Sequence, residues 1–224
     1  MSQALSSAIF QFLEKLRVNN NRPWFDENKG EYLAVQQEFK SFIASLLPTA
    51  EQFYPGAGLL KPENCIYRIY RDVRFSKNKL PYKVNISASI GSQGRKSGFD
   101  SIYLHIENNA SFLAAGAYEL QPEQLAAIRQ EIDYNSQALK SVISDPEFVS
   151  YFGQIEGNKL KTSPKGFDKE HPDIELLRFT QMYIMHPFSN NEILSADFAD
   201  KVLDGISRTK PLTGFLLEAT AQHS

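Results

Sequence analysis

Residues 83–90 read KVNISASI and residues 101–107 read SIYLHIE, and in both stretches apolar and polar side chains alternate one by one. Alternation with a period of two is typical of β-strands that bury one face. A third stretch, Ser111 to Tyr118, follows the pair Asn108-Asn109, which suits a tight turn between neighbouring strands. The pattern predicts an antiparallel β-meander in the middle of the chain.

Two more strand candidates lie outside this meander. Cys65 to Tyr70 precedes it, and Phe179 to Met185 follows it much later in the chain. The loop GSQGRKSG, residues 91–98, joins two of the strands, and its glycines and serines predict a flexible, basic connection.

Helical spacing of apolar residues dominates both ends of the chain. We expect Pro48 to end the second helix and Pro211 to interrupt the last one, because proline removes a backbone donor. Helical blocks around a strand cluster predict an α+β fold, a largely antiparallel sheet flanked by N- and C-terminal helices, in a single domain over residues 1–224. The predicted helices are one after Ser6 or Ser7 with Ile9, Phe12, Leu13 and Leu16 as apolar positions, then Asn28 to Leu47, one starting at Pro122, Ser136 to Ile143, Pro146 to Phe152, and Ala196 to Leu217.

Charge is distributed unevenly along the chain. Residues 66–99 hold eight basic side chains and one acidic side chain, Asp72, for a net charge of +7. All other residues together hold 16 basic and 25 acidic side chains, for a net charge of −9. A concentrated basic region in a mildly acidic protein indicates an anionic partner.

Several classes of site are not predicted. The single cysteine, Cys65, excludes an intramolecular disulfide and a cysteine-rich metal site. Phosphate-binding GxxxxGK[ST] and GxGxxG motifs are absent, as are GxSxG and HExxH. With neither ~18 consecutive apolar residues nor a secretory pattern at the N-terminus, we expect a cytoplasmic protein without membrane association. No metal site is predicted from the scattered histidines His105, His171, His186 and His223.

The segment RIYRDVRFSKNKLPYK, residues 68–83, carries three Arg, three Lys and three aromatic residues around one carboxylate. Arginine offers a planar fork that grips phosphate or carboxylate, so several converging arginines suit a multiply charged anion. Asp72 is expected to orient one of them, and Asp72, His171 and Tyr82 are weak candidates for catalysis. The predicted anion-binding residues are Arg68, Arg71, Arg74, Lys79 and Lys83, with Asn78, Arg22 and Lys165 in support.

The favoured hypothesis is that residues 68–83 bind a phosphorylated or polyanionic small molecule, with catalysis left open and no cofactor indicated. One alternative is nucleic-acid binding, which a pI of about 6.1 disfavours. A second is a non-catalytic module that docks an acidic protein partner. A third is a purely structural ion-pair network of Arg71, Asp72 and Arg74.

The pattern RxxRDxRF at residues 68–75, followed by NKxxY at residues 78–82, resembles the signature of a bacterial family catalogued as domain of unknown function 2461. The stretches NNRPWF at 20–25 and PKGF at 164–167 also resemble that family. Its members are similar in length to this chain, so the resemblance is expected to cover nearly all of it. The family has Asp or Asn at the position of Asn78, and the amide here argues against an essential carboxylate. The resemblance implies no activity, substrate or cofactor.

Overall fold

The computed structural model describes residues 4–221, and within them a four-stranded antiparallel sheet lies between helical blocks. This arrangement confirms the predicted α+β class. Each strand pairs with the next along the chain, as expected for a meander. The strands are β1 (Ile86–Gly91), β2 (Ser101–Ile106), β3 (Ser111–Ala117) and β4 (Met182–Phe188).

Helices precede the sheet, separate β3 from β4 and follow β4. No helix within residues 4–221 combines the length and apolarity needed to cross a membrane. The helices are α1 (Ala8–Val18), α2 (Arg22–Glu27), α3 (Lys29–Ala50), α4 (Pro62–Cys65), α5 (Pro122–Ile143), α6 (Pro146–Phe152), α7 (Ile174–Leu177), α8 (Asn190–Ile193) and α9 (Phe198–Ala221).

Two predictions about prolines are wrong. Helix α3 continues through Pro48 to Ala50, and α9 contains Pro211 without a break. A proline inside a helix loses one backbone hydrogen bond, but the buried neighbours Leu47 and Leu212 anchor these turns in the core. Tertiary packing therefore outweighs the local penalty at both sites.

The two helices predicted on either side of residue 135 form one element, α5. Asn135 has non-helical backbone angles, φ −140° and ψ 48°, and it kinks the helix at the predicted boundary. The side chain of Asn135 donates to Glu131 at 3.2 Å within the same helix. The predicted boundary therefore coincides with the kink, but the helix continues past it.

The prediction of a strand from Cys65 to Tyr70 is wrong. Cys65 ends α4, and the next residues run beside β1 with only scattered backbone pairs. The Tyr67 N–H donates to the Ser87 carbonyl at 2.9 Å, and the Lys83 N–H donates to the Ile69 carbonyl at 2.8 Å. Residues 66 and 67 are thus the last to pair with β1, and Ile69 pairs instead with Lys83. We call residues 68–83 the basic arm and residues 72–80 its tip.

The two faces of the sheet have different surroundings. Helix α9 packs on the face that contains Leu113, where a side chain added at Gly205 would meet the leucine at 3.0 Å. The opposite face is partly exposed over β2, β3 and β4, and we call it the open face. Over β1 this face is buried: Ser87 and Ser89 are only 1% and 5% exposed. Tyr67 and the loop after β1 lie against this part of the sheet. The open face carries Tyr103, His105, Phe112, Ala114, Tyr183 and Met185.

The basic arm is anchored by Asn20, a buried residue between α1 and α2. Its amide oxygen accepts from the Tyr82 N–H at 3.1 Å, and its amide nitrogen donates to the Tyr82 carbonyl at 3.0 Å. The Tyr82 ring stacks on Phe25, with ring centroids 4.0 Å apart and planes 13° apart. Backbone and ring of Tyr82 are thereby both fixed to the N-terminal helices.

We expect Asn20→Ala to lower the free energy of unfolding by about 2–4 kcal/mol, because the buried N–H and C=O of Tyr82 would both lose their partner. Urea unfolding measures this change. The control is Gln11→Ala, which removes an exposed amide from α1 and should change stability by less than about 0.5 kcal/mol. A loss below about 1 kcal/mol for Asn20→Ala would contradict this role for Asn20.

Candidate anion-binding site

At the tip of the basic arm, Asp72, Arg74 and Lys79 form contacts within the tip itself. The Asp72 carboxylate accepts from Arg74 Nε at 3.0 Å and from Nη2 at 2.7 Å, a bidentate pair. Lys79 Nζ donates to the Val73 carbonyl at 2.9 Å. Because these donors already hold the tip in shape, they are not the free cations that an anion would find first.

Two further contacts shape the tip. The Asn78 side chain accepts from the Leu80 N–H at 3.0 Å, which is an Asx turn, and Arg71 Nη2 lies 3.5 Å from the Ser76 hydroxyl. Phe75 is 95% exposed at the end of the tip. Asn78 therefore acts on the backbone of the turn, which an amide serves as well as a carboxylate.

The ion pair also sets the acidity of Asp72. Hydrogen bonds from Arg74 lower the pKa of the Asp72 carboxyl from its ordinary 3.8 to about 2. Asp72 is therefore ionised at neutral pH and is a poor proton acceptor.

The foot of the arm differs from its tip. Arg68 and Lys83 are the first and last residues of the arm and together form its foot. Lys83 Nζ lies 5.4 Å from the centre of the Tyr67 ring. Within residues 4–221, neither cation forms an ion pair with a carboxylate. Burial lowers the pKa of the half-buried Lys83 amine, and repulsion from Arg68 adds to that effect. The two cations are thus close enough to repel each other, and Arg68 also acts on the Asp72 carboxyl without forming an ion pair with it.

A third cation reaches the foot from the loop between β1 and β2. Arg95 Nε donates to the Asn64 carbonyl at 3.1 Å. Gly94 makes this approach possible, because it has a positive φ of 58° and a side chain there would lie 2.7 Å from the same carbonyl oxygen. Burial raises the pKa of Tyr67, and the nearby charge of Arg95 acts against that rise. We call Arg68, Lys83, Arg95 and the Tyr67 ring the foot site.

A row of rings extends from the foot site across the open face. The Tyr67 and Tyr103 rings are 5.8 Å apart and nearly perpendicular, and the His105 and Phe112 rings are stacked at 4.6 Å. Tyr103 and His105 join the two pairs at 5.9 Å. We call these four residues the ring row.

Hydrogen bonds link part of the ring row into a chain. The Tyr103 hydroxyl lies 3.1 Å from His105 Nδ1, and His105 Nε2 lies 3.0 Å from a Glu107 carboxylate oxygen. Arg17 donates to the other Glu107 oxygen at 2.9 Å. A phenol, an imidazole and a carboxylate joined in this order can pass a proton along the chain.

Other residues predicted for the site lie on different elements. His171 bonds Asp133 of α5 through Nε2 at 2.9 Å, and its Nδ1 accepts from the Asp173 N–H at 3.0 Å. Both ring nitrogens are thus engaged in structural contacts. Lys165 is exposed in the loop before α7, whereas Arg22 is close enough to Tyr82 to act on its pKa, which burial raises. His223 lies outside the described residues.

A groove of about 690 Å³ lies away from the arm, between the end of α5 and β4. Its cation Lys159 is paired with Glu175 at 3.3 Å and lies 4.3 Å from the centre of the Phe179 ring. Within residues 4–221, no three His, Cys, Asp or Glu side chains gather in a way that suits a metal ion. The groove therefore has no cation comparable to Arg68 and Lys83, which form no ion pair.

Sequence reasoning missed five residues of this region: Tyr67, Arg95, Tyr103, His105 and Glu107. The strand alternation did contain one useful signal, since positions 103, 105 and 107 share a face of β2. The position of Tyr67 and Arg95 beside them depends on long-range packing, which no local pattern shows.

Fold and site together define an α+β protein with an unpaired cationic surface beside an open sheet face. The chain belongs to the DUF2461 family, because the family model described as "Conserved hypothetical protein (DUF2461)" matches residues 8–215, nearly the whole chain. The predicted family membership is confirmed. No curated protein and no solved structure matches the chain.

We expect the Asp72 carboxyl to titrate near pH 2 and to return toward 3.8 in Arg74→Ala. Because the native pKa is lowered, the ion pair is complete above about pH 4 and is lost as the pH falls toward 2. Carbon-detected NMR of the side-chain carboxyl measures both midpoints. An Asp72 midpoint near 3.8 in the unchanged protein would mean that this ion pair does not form in solution.

Proposed function

We propose that the protein binds a phosphorylated or otherwise polyanionic small molecule at the foot site. The observation that carries the proposal is the pairing of Arg68 with half-buried Lys83 without a carboxylate partner. Lys83 is half-buried and is repelled by the exposed Arg68, and an anion that contacts both side chains would offset that repulsion. A phosphate provides several acceptor oxygens for both side chains.

The proposal divides the basic arm into two parts. Arg68 and Lys83 bind the anion at the foot, and Arg95 adds charge from the neighbouring loop. Arg74 and Lys79 instead shape the tip through Asp72 and Val73. Of the alternative network of Arg71, Asp72 and Arg74, the proposal keeps the Asp72–Arg74 ion pair as a structural contact of the tip.

The proposal includes a bacterial cytoplasmic setting. One buried thiol, Cys65, suits a reducing compartment, since burial raises its pKa to about 11 and keeps it unreactive. The chain of Tyr103, His105 and Glu107 next to the foot site supplies groups for acid–base chemistry. We assign no reaction to them.

We expect inorganic pyrophosphate to raise the thermal unfolding midpoint at low salt. A ligand at about 100 times its Kd adds about 2.7 kcal/mol, which for a chain of this size is a rise of roughly 5–10 °C. Lys83→Gln and Arg68→Gln should each abolish most of that rise, because each removes one of the two cations that the proposal places on the anion.

The matched control is Lys77→Gln, which removes the same charge from the exposed tip and should leave the pyrophosphate shift nearly unchanged. Equal losses in Lys77→Gln and Lys83→Gln would indicate binding to the net charge of the arm rather than to the foot site. Absence of any shift with pyrophosphate and ribose 5-phosphate would overturn the proposal.

A further inference from the structure

We infer that the anion bound at the foot site carries a nucleobase, which packs on the ring row of the open face. This inference rests on the proposed function and specifies its ligand as a nucleotide. It is carried by the continuity between three unpaired cations and four π-systems on one surface. A phosphate at Lys83 would lie beside Tyr67, the first ring of that row.

The open face keeps some aromatic surface in contact with solvent. Tyr103, His105 and Phe112 keep part of their surface in solvent, although the same strands bury every residue on the other face of β2. Covering exposed aromatic surface with a base removes apolar area from water and adds stacking contacts. The face therefore gains more from an aromatic ligand than from a sugar phosphate.

Small neighbours leave space beside the central ring. Tyr103 lies between Ser89 of β1 and Ala114 of β3 in the sheet register. Ser89 is covered by Tyr67 and the loop after β1, whereas the small side chain of Ala114 leaves the surface on the other side of the Tyr103 ring partly exposed to a base. Met185, opposite Ala114 on β4, closes the far side with a soft apolar group.

The acidic groups around this surface favour one nucleotide over a strand. Glu107 lies at the end of the ring row, directly after β2, and the charge of Glu119 reaches Tyr67. A run of phosphates along the whole face would approach both carboxylates, whereas a single phosphate between Arg68 and Lys83 would avoid Glu107 at the far end of the row. The charge pattern thus fits a mononucleotide.

The test compares AMP with ribose 5-phosphate, which keeps the phosphate and sugar but lacks the base. We expect AMP to bind on the order of tenfold more tightly by calorimetry, the effect of stacking one base. The adenine proton resonances should also shift upfield from ring currents. Tyr103→Leu and Phe112→Leu should weaken AMP binding and leave ribose 5-phosphate binding unchanged, while Tyr103→Phe, which keeps the ring, should retain the preference.

The outcomes separate the two proposals. Equal affinity for AMP and ribose 5-phosphate would overturn the nucleobase inference and uphold anion binding, and binding of neither would overturn both. A short oligo(dA) strand distinguishes the source of the nucleotide. Affinity no greater than that of AMP supports a mononucleotide, and affinity that is much greater and falls steeply with salt overturns it in favour of a nucleic-acid strand.

Discussion

The position of the basic arm depends on two hydrogen bonds between one side chain and the backbone of one residue. Asn20 uses both ends of its amide on Tyr82, in a place where water does not compete. Tyr82 directly precedes Lys83, so the same contact that anchors the arm also fixes the backbone next to the lysine. The foot site is consequently built on the N-terminal helices as much as on the sheet.

Charge density alone does not identify a binding site, and the basic arm shows why. Both the foot and the tip of the basic arm contain cations. At the tip, Asp72 lies two residues from Arg74, close enough for a local bidentate pair. At the foot, Asp72 is four residues from Arg68 but forms its ion pair with Arg74, and folding brings in another cation, Arg95. The position of Asp72 within the segment therefore decides which cation forms an ion pair and which cations do not.

The sequence predicted the α+β class, three of the four strands closely, and the family, because alternation and turn residues are local signals. It began the first strand three residues too early, at Lys83, and placed the whole fourth strand three residues too early, at Phe179 to Met185. It also assigned a strand at residues 65–70, where β-prone residues are diverted by the helical turn before them and the loop after them. Of the site, the predicted anion-binding residues include Arg68 and Lys83 but not the ring row, which forms only where a loop meets β2 and β3.

The ring row suggests how binding and chemistry could share one surface. Burial raises the pKa of Tyr103, so its phenol keeps its proton at neutral pH. With the His105 proton on Nε2, that nitrogen donates to Glu107 and Nδ1 accepts from the Tyr103 hydroxyl. The carboxylate thereby fixes the imidazole, and the imidazole fixes the phenol, at the position where the ring row approaches the cations. The alternation of β2 that first predicted a strand is thus also what aligns these three groups beside the foot site.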